Sequence, residues 1–127
     1  NKEIIISENF SKIPFNYTVA EKLITHVIDN QTDPVITYEQ LAFKISDDFN
    51  PRNLREYLGN ISCECKANDL PPISSIVVLK GIGLPGDGFY REFYSERPMS
   101  EWEDIFKECK QSVIECDFWQ NLLDAIA

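Results

Sequence analysis

Residues 37–55 read Thr37-Tyr38-Glu39-Gln40-Leu41-Ala42-Phe43-Lys44-Ile45-Ser46-Asp47-Asp48-Phe49-Asn50-Pro51-Arg52-Asn53-Leu54-Arg55, and two helix starts lie within them. Thr37-x-x-Gln40 is a capping box. Its hydroxyl and its side-chain amide each take an N–H that would otherwise have no partner at the helix start. Tyr38, Leu41, Ala42 and Ile45 then fall on one face at helical spacing. Asp47 and Asp48 interrupt that pattern, and Asn50-Pro51 restarts it. Asparagine is a strong N-cap, and proline suits the first helical position because its missing N–H is not needed there. Leu54, Leu58 and Ile61 form the inward face of this next helix, and Arg52, Arg55 and Asn60 point elsewhere. The pair reads as a helix-turn-helix.

Upstream, Thr18-x-x-Glu21 is a second capping box. It opens a helix to about Asp29 with a stripe of Val19, Leu23, Ile24, Val27 and Ile28. Residues 1–15 hold a short apolar run ending at Pro14 and fit an edge strand or an extended arm. Downstream, a polar connection is expected between Cys63 and Pro72, then a strand over residues 73–80 built on Ile76-Val77-Val78-Leu79. The glycines at 81, 83, 86 and 88 make a turn-rich loop, with residues 89–94 as the return strand of a hairpin. Ser100-x-x-Glu103 caps an amphipathic helix through Trp102, Ile105, Phe106, Cys109 and Val113. A last short helix holds Phe118, Trp119, Leu122, Leu123 and Ile126. The expected fold class is α+β and mostly helical: one domain over residues 1–127, with a winged-helix-like core at 36–94 and added N- and C-terminal helices.

Composition supports a packed domain. The chain has 127 residues, 43% hydrophobic and 12% aromatic, well above the level of a disordered acidic segment. The net charge is −9 and the pI near 4.5, which disfavours a phosphate backbone as partner unless charge is segregated. Residues 95–127 carry three basic and eight acidic side chains, so the acid gathers in the C-terminal helices at 100–127. No run approaches the roughly 18–20 apolar residues of a membrane span, and a cytoplasmic location is expected. The four cysteines are Cys63, Cys65, Cys109 and Cys116. Cys63-x-Cys65 is too tight to pair with itself. Cys109 and Cys116 lie about 10.5 Å apart along one helix, too far to bridge. Reduced thiols are expected, with no metal.

The candidates for chemistry are weak. Gly81-Ile82-Gly83-Leu84-Pro85-Gly86 spells G-x-G-x-x-G, but a dinucleotide site needs its last glycine to enter a helix, and here Pro85 precedes that glycine and Gly88-Phe89-Tyr90 is expected to be extended. It reads as a wing or hairpin turn. His26 is the only histidine and sits within a helical stripe, with no serine or cysteine pattern beside it. Glu103 and Asp104 are adjacent on a helix and face different ways, as a solvated face does. The chain is expected not to be an enzyme and to need no cofactor.

Thr37-Tyr38-x-x-Leu41-Ala42, an arginine-bearing helix ending Leu58-Gly59, Leu70-Pro71, Ile76-Val77-Val78 and a Gly-Phe turn follow in that order. Over residues 36–89 this order resembles the DNA-binding domain of the alkylguanine-DNA alkyltransferases. The resemblance implies a winged-helix core, and it matches Arg55 to the arginine that holds the duplex open in that family. It does not imply alkyl transfer. The family's reactive cysteine and histidine would fall near Pro72 and Ile73, and the acidic helices at 100–127 have no counterpart.

Two functions are therefore expected. One is an acidic inhibitor, such as an immunity protein or antitoxin, that neutralises a basic nuclease-type toxin by direct binding. Glu101, Glu103, Asp104, Glu108, Glu115 and Asp117 would be its contact charges. The alternative is a winged-helix DNA-binding regulator, or a non-catalytic alkyltransferase-like damage sensor, using Tyr38, Arg52, Asn53, Arg55 and Lys80.

Overall fold

A computed structural model describes residues 3–5 and 16–126. In chain order they form α1 (Tyr17–Asp29), β1 (Ile36–Thr37), α2 (Tyr38–Ile45), α3 (Leu54–Ala67), β2 (Val77–Val78), α4 (Asp87–Phe93), α5 (Trp102–Glu115) and α6 (Trp119–Ile126). Single 3-10 turns cover Pro51–Asn53, Ile73–Ile76 and Met99–Glu101. The fold is thus mostly helical with one small sheet. None of the described helices is long and apolar enough to cross a membrane.

The Thr37 capping box forms as the spacing predicts. The Gln40 N–H donates to Thr37 Oγ1 over 3.1 Å, and the Thr37 N–H donates to Gln40 Oε1 over 3.0 Å. Asn50 also caps, its Oδ1 accepting from the Arg52 N–H at 3.0 Å, and the short turn it starts leads into α3. The other two boxes do not form. Asn16 caps α1 instead, accepting from the Val19 N–H at 3.0 Å, because a strong cap two residues earlier lets the helix take in Tyr17. At Ser100 the chain is still in the 3-10 turn that follows Pro98, and α5 starts at Trp102 without a side-chain cap.

The predicted polar connection after Cys63 is helix as far as Ala67, so Cys63 and Cys65 both lie on α3. The helix then ends in a Schellman arrangement. Asp69 takes the left-handed backbone at φ 58, the Leu70 N–H donates to the Cys65 carbonyl at 2.8 Å, and the Asp69 N–H donates to that of Lys66 at 3.1 Å. Asn68 also clasps the chain's beginning. The Ile5 N–H donates to Asn68 Oδ1 at 2.9 Å, and Asn68 Nδ2 donates to the Ile5 carbonyl at 3.0 Å. Residues 3–5 have no regular secondary structure; the remainder of the predicted strand or arm over 1–15 lies outside the described residues.

The predicted hairpin is corrected. Ile73–Ile76 is a buried 3-10 turn, and only Val77–Val78 pair as strand, parallel to β1 in the register Ile36 to Val77 and Thr37 to Val78. The expected return strand over 89–94 is the helix α4 and its C-cap Tyr94. Its apolar residues, Phe89, Tyr90, Phe93 and Tyr94, repeat at a spacing of four, which a helix gathers on one side and a strand would scatter over both faces. No wing hairpin exists among the described residues.

The core falls into a larger and a smaller cluster. The larger joins Val19, Leu23, Ile24 and Val27 of α1 to Leu41 of α2, Leu54, Leu58 and Ile61 of α3, and Ile73, Ile76 and Val77. Trp119 and Leu122 of α6 close it, with the Trp119 indole N–H donating to the Val113 carbonyl at 2.9 Å. The smaller holds Phe89 and Tyr90 against Ile105 and Cys109, where Tyr90 stacks on Trp102 with centroids 4.3 Å apart. Helix α5 serves both, Ile105 and Cys109 in one and Val113 in the other.

Candidate functional site

Tyr38 is the first residue of α2, directly after the capping threonine that β1 pairs with Val78. Cap and strand together fix where its ring leaves the backbone. Its hydroxyl accepts the Gly86 N–H over 3.2 Å, tying the start of α2 to the start of α4. Between these points and α3 lies a cleft of about 350 Å³, lined among others by Tyr38, Arg55, Gly59, Ser74, Phe89 and Glu92. A second depression of about 150 Å³ shares Tyr38 and Arg55 and adds Glu39, Pro51, Arg52 and Leu79. Tyr38 and Arg55 are common to both.

The cleft has mixed charge. Arg52 and Arg55 are exposed and form no ion pair among the described residues, with Glu56 or any other acid. They stand at the start of α3, where the helix dipole adds positive potential. Glu39, Glu56 and Glu92 line the same depressions and oppose them. Ser74 belongs to a buried hydroxyl pair. The Ser74 N–H donates to Ser62 Oγ over 3.0 Å, and the Ser62 hydroxyl donates to Ser74 Oγ. At the rim, the Cys63 thiol donates to Glu92 Oε1 at 3.3 Å.

Three of the four thiols, Cys63, Cys65 and Cys109, are poorly suited to nucleophilic chemistry. Partial burial, then the Glu92 carboxylate, pushes Cys63 up to about 11. Burial pushes Cys65 up to about 12. Cys109 is also raised by burial, and its sulfur lies 3.1 Å from the Tyr94 hydroxyl. A thiol with such a pKa is almost wholly protonated at neutral pH. Among the described residues no three His, Cys, Asp or Glu side chains gather as a metal site.

The structure brings Tyr38, Arg52 and Arg55 together, while Asn53 and Lys80 are exposed and line neither depression. It divides the six predicted acids. Arg97 Nε lies 2.8 Å from Glu101, its Nη2 lies 3.3 Å from Glu108, and Lys107 lies 3.5 Å from Glu103. Asp104, Glu115 and Asp117 are exposed without an ion pair among the described residues. Gly86, Phe89 and Glu92 are not legible as cleft residues from the sequence, because the aromatic run over 89–94 after a glycine turn also has the composition of a strand. Ser74 carries no signal at all, since a serine inside an apolar run is usually surface.

No protein-family model, curated protein or solved structure matches this chain.

Proposed function

We propose that the chain binds duplex DNA through α2 and α3, in the manner of the alkyltransferase DNA-binding domain but without its catalysis. The observation that carries this is the convergence of Tyr38, Arg52 and Arg55, three residues of the sequence-derived contact set, on the smaller depression, with Tyr38 and Arg55 lining the larger cleft as well. Arginines with no ion pair among the described residues keep their donors for phosphate. The strongest excess of acid falls in residues 95–127, outside the residues that line these depressions. Raised thiol pKa values support binding without alkyl transfer.

The test is anisotropy of a labelled duplex titrated with protein at several salt concentrations, beginning near ~50 mM. Binding should weaken steeply with salt. Arg52→Ala and Arg55→Ala should each lower the log–log slope by about 0.9, the contribution of one phosphate contact. No binding by the wild-type chain at low salt sinks the reading.

A second reading is supported by the exposed carboxylates of Asp104, Glu115 and Asp117. They suit a basic protein surface, such as that of a nuclease toxin. Substituting all three by their amides should abolish capture of such a partner and leave duplex binding unchanged or stronger. Capture that survives the triple substitution removes this face from consideration.

A further inference from the structure

Arg55 and Glu92 line the same cleft of about 350 Å³ with opposite charges. Neither forms an ion pair with the other or with any described residue. Glu92 is anchored elsewhere on α3. Its Oε1 accepts the Cys63 thiol at 3.3 Å, and a Cβ at Gly59 would stand 3.1 Å from its Oε2. Glycine inside a helix costs stability, and here the missing side chain lets the carboxylate lie against that turn. Gly59 follows Arg55 by about one turn, roughly 6 Å along the axis. Helical side chains lean towards the N-terminus, so Arg55 leans away from Gly59. It reaches the smaller depression with Pro51 and Arg52, which Glu92 does not line. The cation and the carboxylate therefore stand towards opposite ends of the cleft.

A buried group in the same wall also has bonding capacity left over. Ser74, 5% exposed, lines the cleft and accepts from the Ser62 hydroxyl. Its own hydroxyl hydrogen then has no acceptor among the described residues, and a buried donor left unmet is costly. Phe89 and Phe93 of α4 add an apolar wall, their ring centroids 5.6 Å apart. Glu56 lines the cleft too, and its charge opposes Arg55. The volume is at the small end for ligand pockets, and an apolar wall with a few polar groups is their usual lining. An arginine takes a carboxylate through paired N–H donors, and a carboxylate takes an ammonium.

We infer that the cleft binds a small elongated zwitterion, with its carboxylate on Arg55, its ammonium on Glu92 and its methylene chain along Phe89 and Phe93. This goes beyond the duplex-binding reading and does not depend on it, so the test contains no DNA. Backbone amide NMR shifts are followed while the full chain is titrated with ε-aminocaproate, and separately with caproate and with hexylamine, which each lack one charge. The zwitterion should shift Gly59, Phe89 and Glu92 saturably. Because Arg55 and Glu92 are exposed and their pairings screened, it should bind about threefold or more tightly than either analogue. Arg55→Gln should remove its advantage over hexylamine, and Glu92→Gln its advantage over caproate. Glu56→Gln should leave both advantages in place. Equal binding of the three compounds, or no saturable shift at the cleft, overturns the inference. So does an advantage over caproate that survives Glu92→Gln or is lost in Glu56→Gln.

Discussion

The Gly86 amide donates its hydrogen bond to the Tyr38 hydroxyl over 3.2 Å, joining the starts of two helices that lie 48 residues apart in sequence. The glycine is buried, and a Cβ on it would stand 3.3 Å from that same oxygen. The contact is therefore polar and steric at once, and it sets one wall of the cleft.

Tyr38→Phe leaves the Gly86 N–H without its acceptor and should cost about 1 kcal/mol. Gly86→Ala keeps an allowed backbone, φ −65, and destabilises by pushing the hydroxyl aside. Because the two changes act on one contact, Gly86→Ala should cost less when combined with Tyr38→Phe than in the wild type. A double-mutant cycle by urea denaturation reads this, and simple additivity would show that the contact is not shared.

Ser62 and Ser74 make an asymmetric pair. Ser62→Ala strands both the Ser74 N–H and its hydroxyl in the interior and should cost about 2 kcal/mol. Ser74→Ala leaves its own N–H without loss, since Ser62 still accepts it, and the freed Ser62 hydroxyl can turn to a carbonyl of its own helix. That change should cost about 1 kcal/mol or less. Equal costs by chemical denaturation would show that the Ser74 N–H does not depend on the Ser62 hydroxyl.

Cys63 is half-buried, so access alone does not protect it. Its protonated state does, held up to about 11 by burial and Glu92. Iodoacetamide at pH 7.5 should label Cys63 slowly in the native chain. Glu92→Gln removes the neighbouring negative charge and should speed labelling several-fold, with the site identified by peptide mass mapping.

His26 resists protonation. Partial burial lowers its pKa below 6.5 and Lys44 adds to this, while its hydrogen bond to the Pro34 carbonyl and nearby Asp29 pull the other way. Nε2 meets that carbonyl at 3.0 Å and must carry the proton, which leaves Nδ1 to accept from the Asn30 amide at 3.3 Å. A folded pKa below the unfolded one means that the stability is intact above pH 6.5 and is lost as pH falls through the window beneath it. The difference in urea midpoint between wild type and His26→Gln should therefore shift against the wild type from pH 7.5 to pH 5. A pH-independent difference would show that His26 does not titrate between the two states.

Local signals are legible where local chemistry decides the outcome. The Thr37 box and the Asn50-Pro51 start are satisfied by atoms within three residues, so α2 and the entry to α3 follow from residue order. The apolar stripes of α1 and α6 likewise need no partner to be recognised. The end of α3 is hidden from such a reading because its left-handed residue is Asp69 and not glycine.

Pairing and exposure belong to the packed molecule. Ile76-Val77-Val78 has the composition of a strand. Yet burial of Ile73–Ile76 as a 3-10 turn and the parallel partner at Ile36 limit it to two residues. Phe89 and Tyr90 are helical because Trp102 and Ile105, more than ten residues on, offer a surface for a helical face. Residue order was enough to establish a mostly helical acidic chain with helix starts at Thr37 and at Asn50-Pro51. It took the folded chain to place Tyr38, Arg52 and Arg55 along a shared groove, and to pair Arg97 and Lys107 with half of the predicted acidic contacts. Caps and stripes are written within a few residues, whereas clefts and ion pairs depend on distances that the whole packing sets.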